Sequence, residues 1–311
     1  MFRSRPMASA TRTTLAIGAL CASLSGAAFA QRASAPATEE PEIQSYAINT
    51  EVKLSSDRKT RGVSDTFNRP GAELTVDAVH ESGLLAHFQL ASVSKVTFPN
   101  SNRLNPTLAL GWRGGNPEGV HYGAAVAREW FTRARVDAPT GFDEQMNPLG
   151  MATTNFNTSY LLGELGYGIF TARYLYVASK DFRGLNTSTV CAGYLPAMMA
   201  GGDPSSAMNC YGAGFKNSRG TQLLDLDVAY PLNGTTKLIG HLGWQFVRNF
   251  SAMNTVDYRL GIEHTRWGFV FGAEIAGAKA RERELFVATD GNGVSRRLDR
   301  TAVILSVAKR F

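Results

Sequence analysis

Apolar and polar side chains alternate with a period of two along most of the chain after residue 45. Between residues 46 and 54 the even positions are apolar or uncharged, whereas the odd positions include Glu51 and Lys53. Successive side chains of a β-strand point to opposite faces, so this pattern predicts a strand with one apolar and one charged face. The charged face requires water or ionic partners.

The same alternation recurs and predicts about twelve strands. Each is close to the ~9–11 residues that a tilted strand needs to cross a membrane. The segment 159–165 is the least regular, and Glu164 there places Tyr160 and Leu162 on the inner face. The predicted strands lie near 46–54, 73–78, 84–90, 107–112, 120–130, 159–165, 169–177, 222–230, 237–246, 257–264, 269–276 and 301–311.

The connections between these strands alternate strictly between short and long. The short ones are at Gly83, 113–119, 166–168, 231–236 and 265–268, and the long ones are 55–71, 95–104, 131–157, 179–220, 247–255 and 277–299. Outer-membrane barrels have this asymmetry, whereas soluble sandwiches have no reason to keep it. The sequence therefore predicts an all-β fold, an antiparallel up-and-down transmembrane β-barrel of about twelve strands with short periplasmic turns and long extracellular loops.

Aromatic side chains on the predicted outward faces form two groups. Such belts are typical of the two lipid–water boundaries of a membrane barrel, although the rims of a soluble core are an alternative. The group at the short-turn end is Tyr46, Trp112, Tyr230, Phe269 and Phe311, and the group at the long-loop end is Trp130, Tyr176, Trp244, Phe246 and Tyr258.

The last predicted strand ends on the final residue of the chain, Phe311. From Val303 onward the odd positions are apolar except Lys309, and the even positions are small or polar except Ile304. This segment resembles the closing strand of bacterial outer-membrane barrels. The resemblance implies that Phe311 is part of the signal read by the barrel-assembly machinery. We expect Lys309 to extend toward the periplasmic interface.

The first 30 residues have the pattern of a cleavable signal peptide. Three arginines precede an apolar run at 15–24, and Ala28-Phe29-Ala30 supplies small residues at the cleavage site. Residues 31–44 are rich in Ala, Pro and Glu, which predicts a disordered periplasmic leader before a barrel over 45–311. No later segment approaches the ~20 apolar residues of a membrane-spanning helix.

Charge and cysteine content add little chemistry. The formal net charge is +6, and removal of the three signal-peptide arginines leaves +3. This weak excess indicates no particular partner, and nucleic acid is excluded as a partner for an exported chain. Cys191 and Cys210 remain after cleavage, and an oxidising exported location favours a disulfide between them. No histidine lies close enough in sequence to complete a metal site.

Several segments resemble the TorF family of porin-like barrels. The resemblance implies an outer-membrane barrel and leaves the substrate open, since substrates of that family are not established. The stretch 179–220 is an insertion relative to the family. The matching residues are Leu54-Ser55-Ser56-Asp57, Arg61-Gly62-Val63-Ser64, Pro70, Asp77, His80-Glu81-Ser82-Gly83-Leu84, Ser92-Val93, Leu223-Leu224-Asp225-Leu226-Asp227-Val228-Ala229-Tyr230 and Leu305-Ser306-Val307-Ala308-Lys309-Arg310-Phe311.

Charged side chains of both signs are predicted on the inward faces. They either pair into networks that brace the barrel or line a water-filled path. Twelve strands lie between a filled barrel and an open channel, so we predict a narrow pore constricted by 131–157 or 179–220. The candidate pore-lining residues are Glu51, Lys53, Glu73, Asp77, His87, Glu129, Arg173, Asp225, Asp227, Lys237, His241, Arg259, Glu263 and Glu274.

These features predict a porin-like barrel that allows passive diffusion of small polar solutes across the outer membrane of a Gram-negative bacterium. The expected partners are outer-membrane lipid and lipopolysaccharide, the barrel-assembly machinery and the solutes, with no cofactor and no catalysis. One alternative is a closed barrel that acts structurally or through its long loops. A barrel hydrolase is another, although His80 and His264, which face outward, are not expected beside an outward serine.

Overall fold

Twelve antiparallel strands close into one barrel, in which each strand pairs with its neighbours in the sequence and the last pairs with the first. The computed structural model describes residues 15–17, 28–30, 45–143, 145 and 147–311. The predicted fold class is confirmed. The barrel strands are β1 Tyr46–Ser55, β2 Gly71–His80, β3 Leu84–Ser92, β4 Leu104–Gly115, β5 Val120–Glu129, β6 Thr158–Tyr167, β7 Phe170–Val177, β8 Gln222–Pro231, β9 Thr236–Phe246, β10 Thr255–Arg266, β11 Phe269–Ala280 and β12 Ala302–Arg310.

The remaining elements are not strands of the barrel wall. No helix in the described part of the chain is long and apolar enough to cross a membrane. The helices are α1 Thr187–Ala192, α2 Leu195–Met199 and α3 Ser205–Gly212, with 3₁₀ turns at Ser251–Met253 and Arg283–Phe286. The paired short strands are Leu15–Ile17 with Ala28–Ala30, Lys59–Thr60 with Val63–Ser64, Arg135–Phe142 with Pro148–Asn155, and Val287–Thr289 with Ser295–Arg297.

The predicted signal peptide and leader lie outside the described residues, except for the two short strands within 1–30.

The predicted alternation of short and long connections is confirmed. Five short turns and six longer connections join the twelve strands, and both ends of the barrel segment lie on the short-turn side. The inner face of β6 is also confirmed, because Tyr160, Leu162 and Glu164 are buried and alternate with exposed residues. Residues 290–293 form the tip of a hairpin that joins Val287–Thr289 to Ser295–Arg297.

The outer surface of the barrel is apolar. Leucine, isoleucine, valine and aromatic side chains alternate outward along the strands and stay exposed, as at Leu54, Leu110 and Leu305. Eight of the ten predicted belt aromatics are exposed, and Trp130 and Trp244 are half-buried. A surface this apolar would aggregate in water, so it requires lipid or detergent.

The loop end of the barrel interior is filled on one side. Inward residues of β4 to β8 form an apolar cluster with side chains from the connection 178–221, among them Phe182 and Val190. A second apolar cluster contains Phe98 and Phe131, whose rings stack at 4.1 Å between centroids. Charged inward side chains lie beyond this cluster, on β4 to β8 as well as on the other strands.

Candidate functional site: a connection docked across the barrel

The connection 56–70 turns back into the barrel instead of extending away from it. Lys59–Thr60 and Val63–Ser64 pair as a small hairpin, which we call the inner hairpin, with Arg61 and Gly62 at its tip. Their φ angles are 50° and 70°, as a two-residue type I′ turn requires. Arginine is a poor residue for this conformation, at a cost of about 1–2 kcal/mol, so other contacts must hold it there.

Those contacts are on the opposite wall of the barrel. Arg61 Nη1 donates to Asp225 Oδ1 at 2.6 Å, and Nη2 donates to the carbonyl oxygen of Trp244 at 2.9 Å. Nη2 also lies 3.5 Å from Asp257 Oδ2. Asp225 is on β8, six strands around the twelve-stranded wall from β2, which follows the hairpin. The guanidinium of Arg61 therefore reaches across the lumen to β8, while the neighbouring Gly62 lies against the backbone of Gly277 on β11.

Arg58 fixes the near side of the same connection. Its guanidinium donates to Asp65 at 2.6 Å, to Glu73 of β2 at 3.2 Å and to Gln89 of β3 at 3.3 Å. Within the connection, Ser64 Oγ donates to Asp57 at 2.6 Å. Both ends of the span are thus ionic and buried.

A third arginine, Arg183, reaches the same cluster from the connection 178–221. It donates to both carboxylate oxygens of Asp65 at 3.0 Å and lies 3.4 Å from Glu129, with its guanidinium 4.9 Å from the ring centre of Phe131. Burial lowers the pKa of Arg183, but the carboxylates of Asp65 and Glu129 outweigh burial and raise it above its ordinary value. Arg183 is therefore a permanent cation at the loop end.

The connection 178–221 folds inward as predicted, because its Phe182 and Val190 pack on inward residues of β4 to β8. A second connection, 56–70, also enters the lumen, and the sequence did not predict this. Arg183 of 178–221 joins the two connections through Asp65. The hairpin Arg135–Phe142 with Pro148–Asn155 packs against α1 and α3 instead. The connection between β5 and β6 is long because it contains this hairpin.

The last long connection holds the inner hairpin from above. Ser64 N and Lys59 Nζ both donate to the carbonyl oxygen of Leu298 at 3.0 Å. Arg296 donates to the carbonyl oxygens of Phe67 and Asn68 at 3.3 and 3.2 Å. Docking therefore joins three connections that are far apart in the sequence.

A band of ion pairs continues below the inner hairpin. Arg173 of β7 donates to Glu164 at 3.0 Å and to Asp227 at 2.8 Å, and Arg113 binds the other oxygen of Glu164. His241 lies between two carboxylates, with Nδ1 2.9 Å from Asp227 and Nε2 2.9 Å from Asp257.

Charged pairs toward the short turns are closer to water. Arg310 lies 2.7 Å from Glu51, and Lys237 lies 3.0 Å from Glu263. The side chain of Arg310 is 28% exposed, and those of Asp227 and Arg259 are each 20% exposed. Asp225, beside the inner hairpin, is only 1% exposed. Asp225 beside the inner hairpin is thus fully buried, whereas several charged side chains at mid-strand and near the short turns are partly exposed.

All fourteen candidate pore-lining residues lie on the inner side of the wall. Thirteen make an ion pair described above or a further one, such as His87 with Asp77 at 2.6 Å and Arg259 with Glu274 at 3.8 Å. Lys53 is registered opposite Glu73. The structure thus brings them together as paired charges; their role in lining a path stays a prediction.

Residues that the sequence did not single out complete the site. Arg58, Arg61 and Arg183 come from connections, where alternation gives no direction to a side chain. Asp257 was placed in a predicted strand but not recognised as a partner. The motif Arg61-Gly62-Val63-Ser64 was the available signal, because it carried the family resemblance and lay in a connection.

Two further predictions have definite outcomes. Cys191 and Cys210 form the predicted disulfide. The expectation that neither outward histidine lies beside a serine is wrong for His80, whose Nδ1 is 2.8 Å from Ser82 Oγ. The same Nδ1 accepts from Ser82 N at 3.1 Å, so this contact stabilises a short turn. Within the described residues, no group of three or more His, Cys, Asp or Glu could hold a metal ion.

The closed antiparallel wall, the apolar outer surface and the charged interior together define a porin-like β-barrel. The chain belongs to the family described as bacterial protein of unknown function (Gcw_chp), whose model matches residues 39–311. The narrower resemblance to TorF-family barrels stays a prediction. No curated protein matches the chain.

Solved structures to which the barrel is similar include porins and a channel. The KdgM porin has 7% identity and a TM-score of 0.42, with 85% of this chain and 99% of that chain covered. The NanC porin has 8% identity and a TM-score of 0.42, with 84% and 98% covered. The COG4313 outer membrane channel from Pseudomonas putida F1 has 13% identity and a TM-score of 0.40, with 88% and 100% covered. At such TM-scores these likenesses carry no argument about solutes.

Proposed function

We propose that this protein is an outer-membrane channel for small polar solutes, with its outer mouth constricted by the inner hairpin. The observation that carries the proposal is a set of charged side chains that stay 20–28% exposed inside the barrel, with Arg310 near the short turns and Arg259 and Asp227 near the middle of their strands. A barrel with only a structural role has no need of charge in water-accessible positions along its interior, since apolar packing braces it as well.

The membrane location rests on the outer surface. Exposed apolar side chains cover the wall, and aromatic rings lie near both of its ends. Closed barrels satisfy every backbone hydrogen bond of the wall, which is what a lipid environment demands. The short turns then face the periplasm and the long connections face outward.

Lipopolysaccharide is a proposed partner of the long connections, the last of which carries a basic cluster of five arginines between residues 281 and 300. Within the basic cluster from Arg281 to Arg300, Arg296 binds the carbonyl oxygens at 67 and 68, and Arg297 lies 3.0 Å from Asp299. These two side chains stabilise the docked connections.

Ionic contacts hold the inner hairpin in place, so removing one of them should widen the constriction and thereby test whether the barrel is a channel. We expect low single-channel conductance for the wild type in planar bilayers. Arg61→Ala should conduct several-fold more, because it removes the side chain that joins the connection 56–70 to Asp225 of β8 and Trp244 of β9. Arg69→Ala is the matched control, since Arg69 belongs to the same connection but is 55% exposed and pairs with Asp290 at 3.3 Å.

Equal, discrete openings of the wild type and Arg69→Ala, with larger ones for Arg61→Ala, support the constricted channel. If all three proteins insert but pass no current, the channel is refuted and a closed barrel with working outer loops is favoured. If Arg61→Ala conducts like the wild type, the inner hairpin is not the constriction.

A further inference from the structure

We propose that the site on β8 to β10 that holds Arg61 is a binding site for solute cations, and that it takes guanidinium or primary ammonium groups when the inner hairpin is displaced. This inference rests on the proposed channel function and gives it a substrate class: small cationic solutes. Asp225, Asp257 and the carbonyl oxygen of Trp244 supply the site.

The oxygen atoms around Arg61 are arranged to accept hydrogen bonds from a planar cation. Two carboxylates and a main-chain carbonyl surround the Arg61 guanidinium at 2.6, 2.9 and 3.5 Å. The carboxylate side chains are 1% and 2% exposed, so their charge is poorly screened by water. A guanidinium presents its donors as a rigid fork that matches such acceptors.

Arg61 leaves part of this site unsatisfied. Among the described residues, the buried Oδ2 atoms of Asp225 and Asp257 accept no hydrogen bond, and the buried Nε of Arg61 donates none. An unsatisfied buried acceptor normally costs about 1–3 kcal/mol. A free solute can orient its donors toward both carboxylates, whereas Arg61 is restricted by the turn that carries it.

The wall is shaped around one of these carboxylates. Gly243 of β9 lies between the two acids, and a Cβ there would come within 2.4 Å of Asp257 Oδ2 and 2.9 Å of His241 Nε2. His241 Nε2 lies 2.9 Å from Asp257 Oδ1 and orients it. The absence of a side chain at 243 thus keeps room for a charged group.

The inward side chains of the barrel strands, counted without the docked connections, also favour a cationic solute. The inward side chains of the barrel strands include ten carboxylates and six lysines or arginines, an excess of four negative charges. Displacement of the inner hairpin would leave Asp225 and Asp257 buried with less positive charge nearby, and an uncompensated buried charge is strongly unfavourable. The carboxylates are Glu51, Glu73, Asp77, Glu129, Glu164, Asp225, Asp227, Asp257, Glu263 and Glu274, and the cations are Lys53, Arg113, Arg173, Lys237, Arg259 and Arg310.

Chemical rescue of Arg61→Ala tests the site. We expect methylguanidinium added to the bilayer chamber to block the Arg61→Ala current, because it restores the missing cation, and methylurea, its neutral analogue, to have no effect. In Arg61→Ala with Asp225→Asn, block should require about tenfold more methylguanidinium. Arg61→Ala with Asp77→Asn is the control: it removes a lumen carboxylate that pairs with His87 outside the site and should keep the block.

A second measurement works without any current. Methylguanidinium should raise the temperature at which detergent-solubilised Arg61→Ala loses its folded gel mobility, since a ligand that binds only the folded state stabilises it. The shift should vanish in the double variant with Asp225→Asn. Equal effects of methylguanidinium and methylurea, or a shift that survives Asp225→Asn, overturn the cation site. Absence of current together with an Asp225-dependent shift would refute the channel and retain the site.

Discussion

At the residue scale, two adjacent residues at the tip of the inner hairpin do different work. Arg61 provides the charge that reaches Asp225, and Gly62 provides the close approach to the wall. A Cβ at Gly62 would lie 2.3 Å from the carbonyl oxygen of Gly277, and the φ angle of Gly62 is +70°. Side chains are therefore excluded there both by contact and by backbone conformation.

Gly62→Ala should displace the inner hairpin without changing any charge. The left-handed backbone costs alanine about 1–2 kcal/mol, in addition to the clash with Gly277. We expect a conductance increase in planar bilayers similar in direction to that of Arg61→Ala. Gly291→Ala is the control, because it lies at another hairpin tip where an added Cβ meets nothing within 4 Å. Unchanged current for Gly62→Ala would mean that the tip does not set the constriction.

The sequence predicts side-chain direction well inside strands and poorly in connections. A period of two fixes the inward face once a strand is recognised, which is why Glu164 and Ile304 were placed correctly. Arg61 has no such period, and its partner is 164 residues away. Lys309 is an intermediate case: its extension toward the periplasmic interface stays a prediction, and in the structure its ammonium lies 5.3 Å from the ring centre of Phe269 and 5.4 Å from that of Phe311.

At the element scale, the barrel strands follow from the sequence and the connection 178–221 does not. The three helices there have 6, 5 and 8 residues, too short for a helical period to be recognised. Local start signals are limited to Asn186, which caps α1 through Thr189, and Pro196 in the first turn of α2. The disulfide between α1 and α3 was predictable because two cysteines in an exported chain have few other uses.

Removal of the disulfide should loosen this connection and leave the wall intact. The bridged residues are 19 apart in sequence, and a loop of that size is stabilised by about 3 kcal/mol. We expect Cys191→Ser with Cys210→Ser to be cleaved faster by trypsin after Lys216 or Arg219, while its heat-modifiable mobility on gels stays that of the wild type.

Reduction of the wild-type protein should reproduce this proteolysis pattern, and thiol labelling should succeed only after reduction. Equal cleavage rates with and without the bridge would mean that α1 and α3 are held by packing alone.

At the scale of the whole molecule, closure depends on a short ladder between the two ends of the barrel. β12 pairs with β1 from Ser306–Ser55 to Arg310–Glu51, and Phe311 and Thr50 exchange backbone bonds beyond that. The ion pair of Arg310 with Glu51 crosses this seam at 2.7 Å. The sequence predicted closure from topology, but register at the seam is visible only in the structure.

Phe311→Ala should reduce the fraction of heat-modifiable protein in the outer membrane much more than Lys309→Ala. Phe311 is part of the resemblance to assembly signals, whereas a lipid-facing lysine near the interface contributes only about 0–1 kcal/mol. The comparison is made by gel mobility of membrane fractions with and without boiling. Full, equal insertion of both variants would show that the terminal ring is not required.

The docked connection also sets an order of events. Arg61 precedes Asp225 by 164 residues, and its binding surface exists only after β8, β9 and β10 have joined the wall. Contacts between such distant parts of a chain form late, because the entropy of closing the intervening loop must be overcome first. Interactions that form after the transition state slow unfolding rather than speed folding. We therefore expect the inner hairpin to dock after the barrel has closed and to slow unfolding, so that Arg61→Ala should lose its folded gel mobility faster on heating than Arg69→Ala.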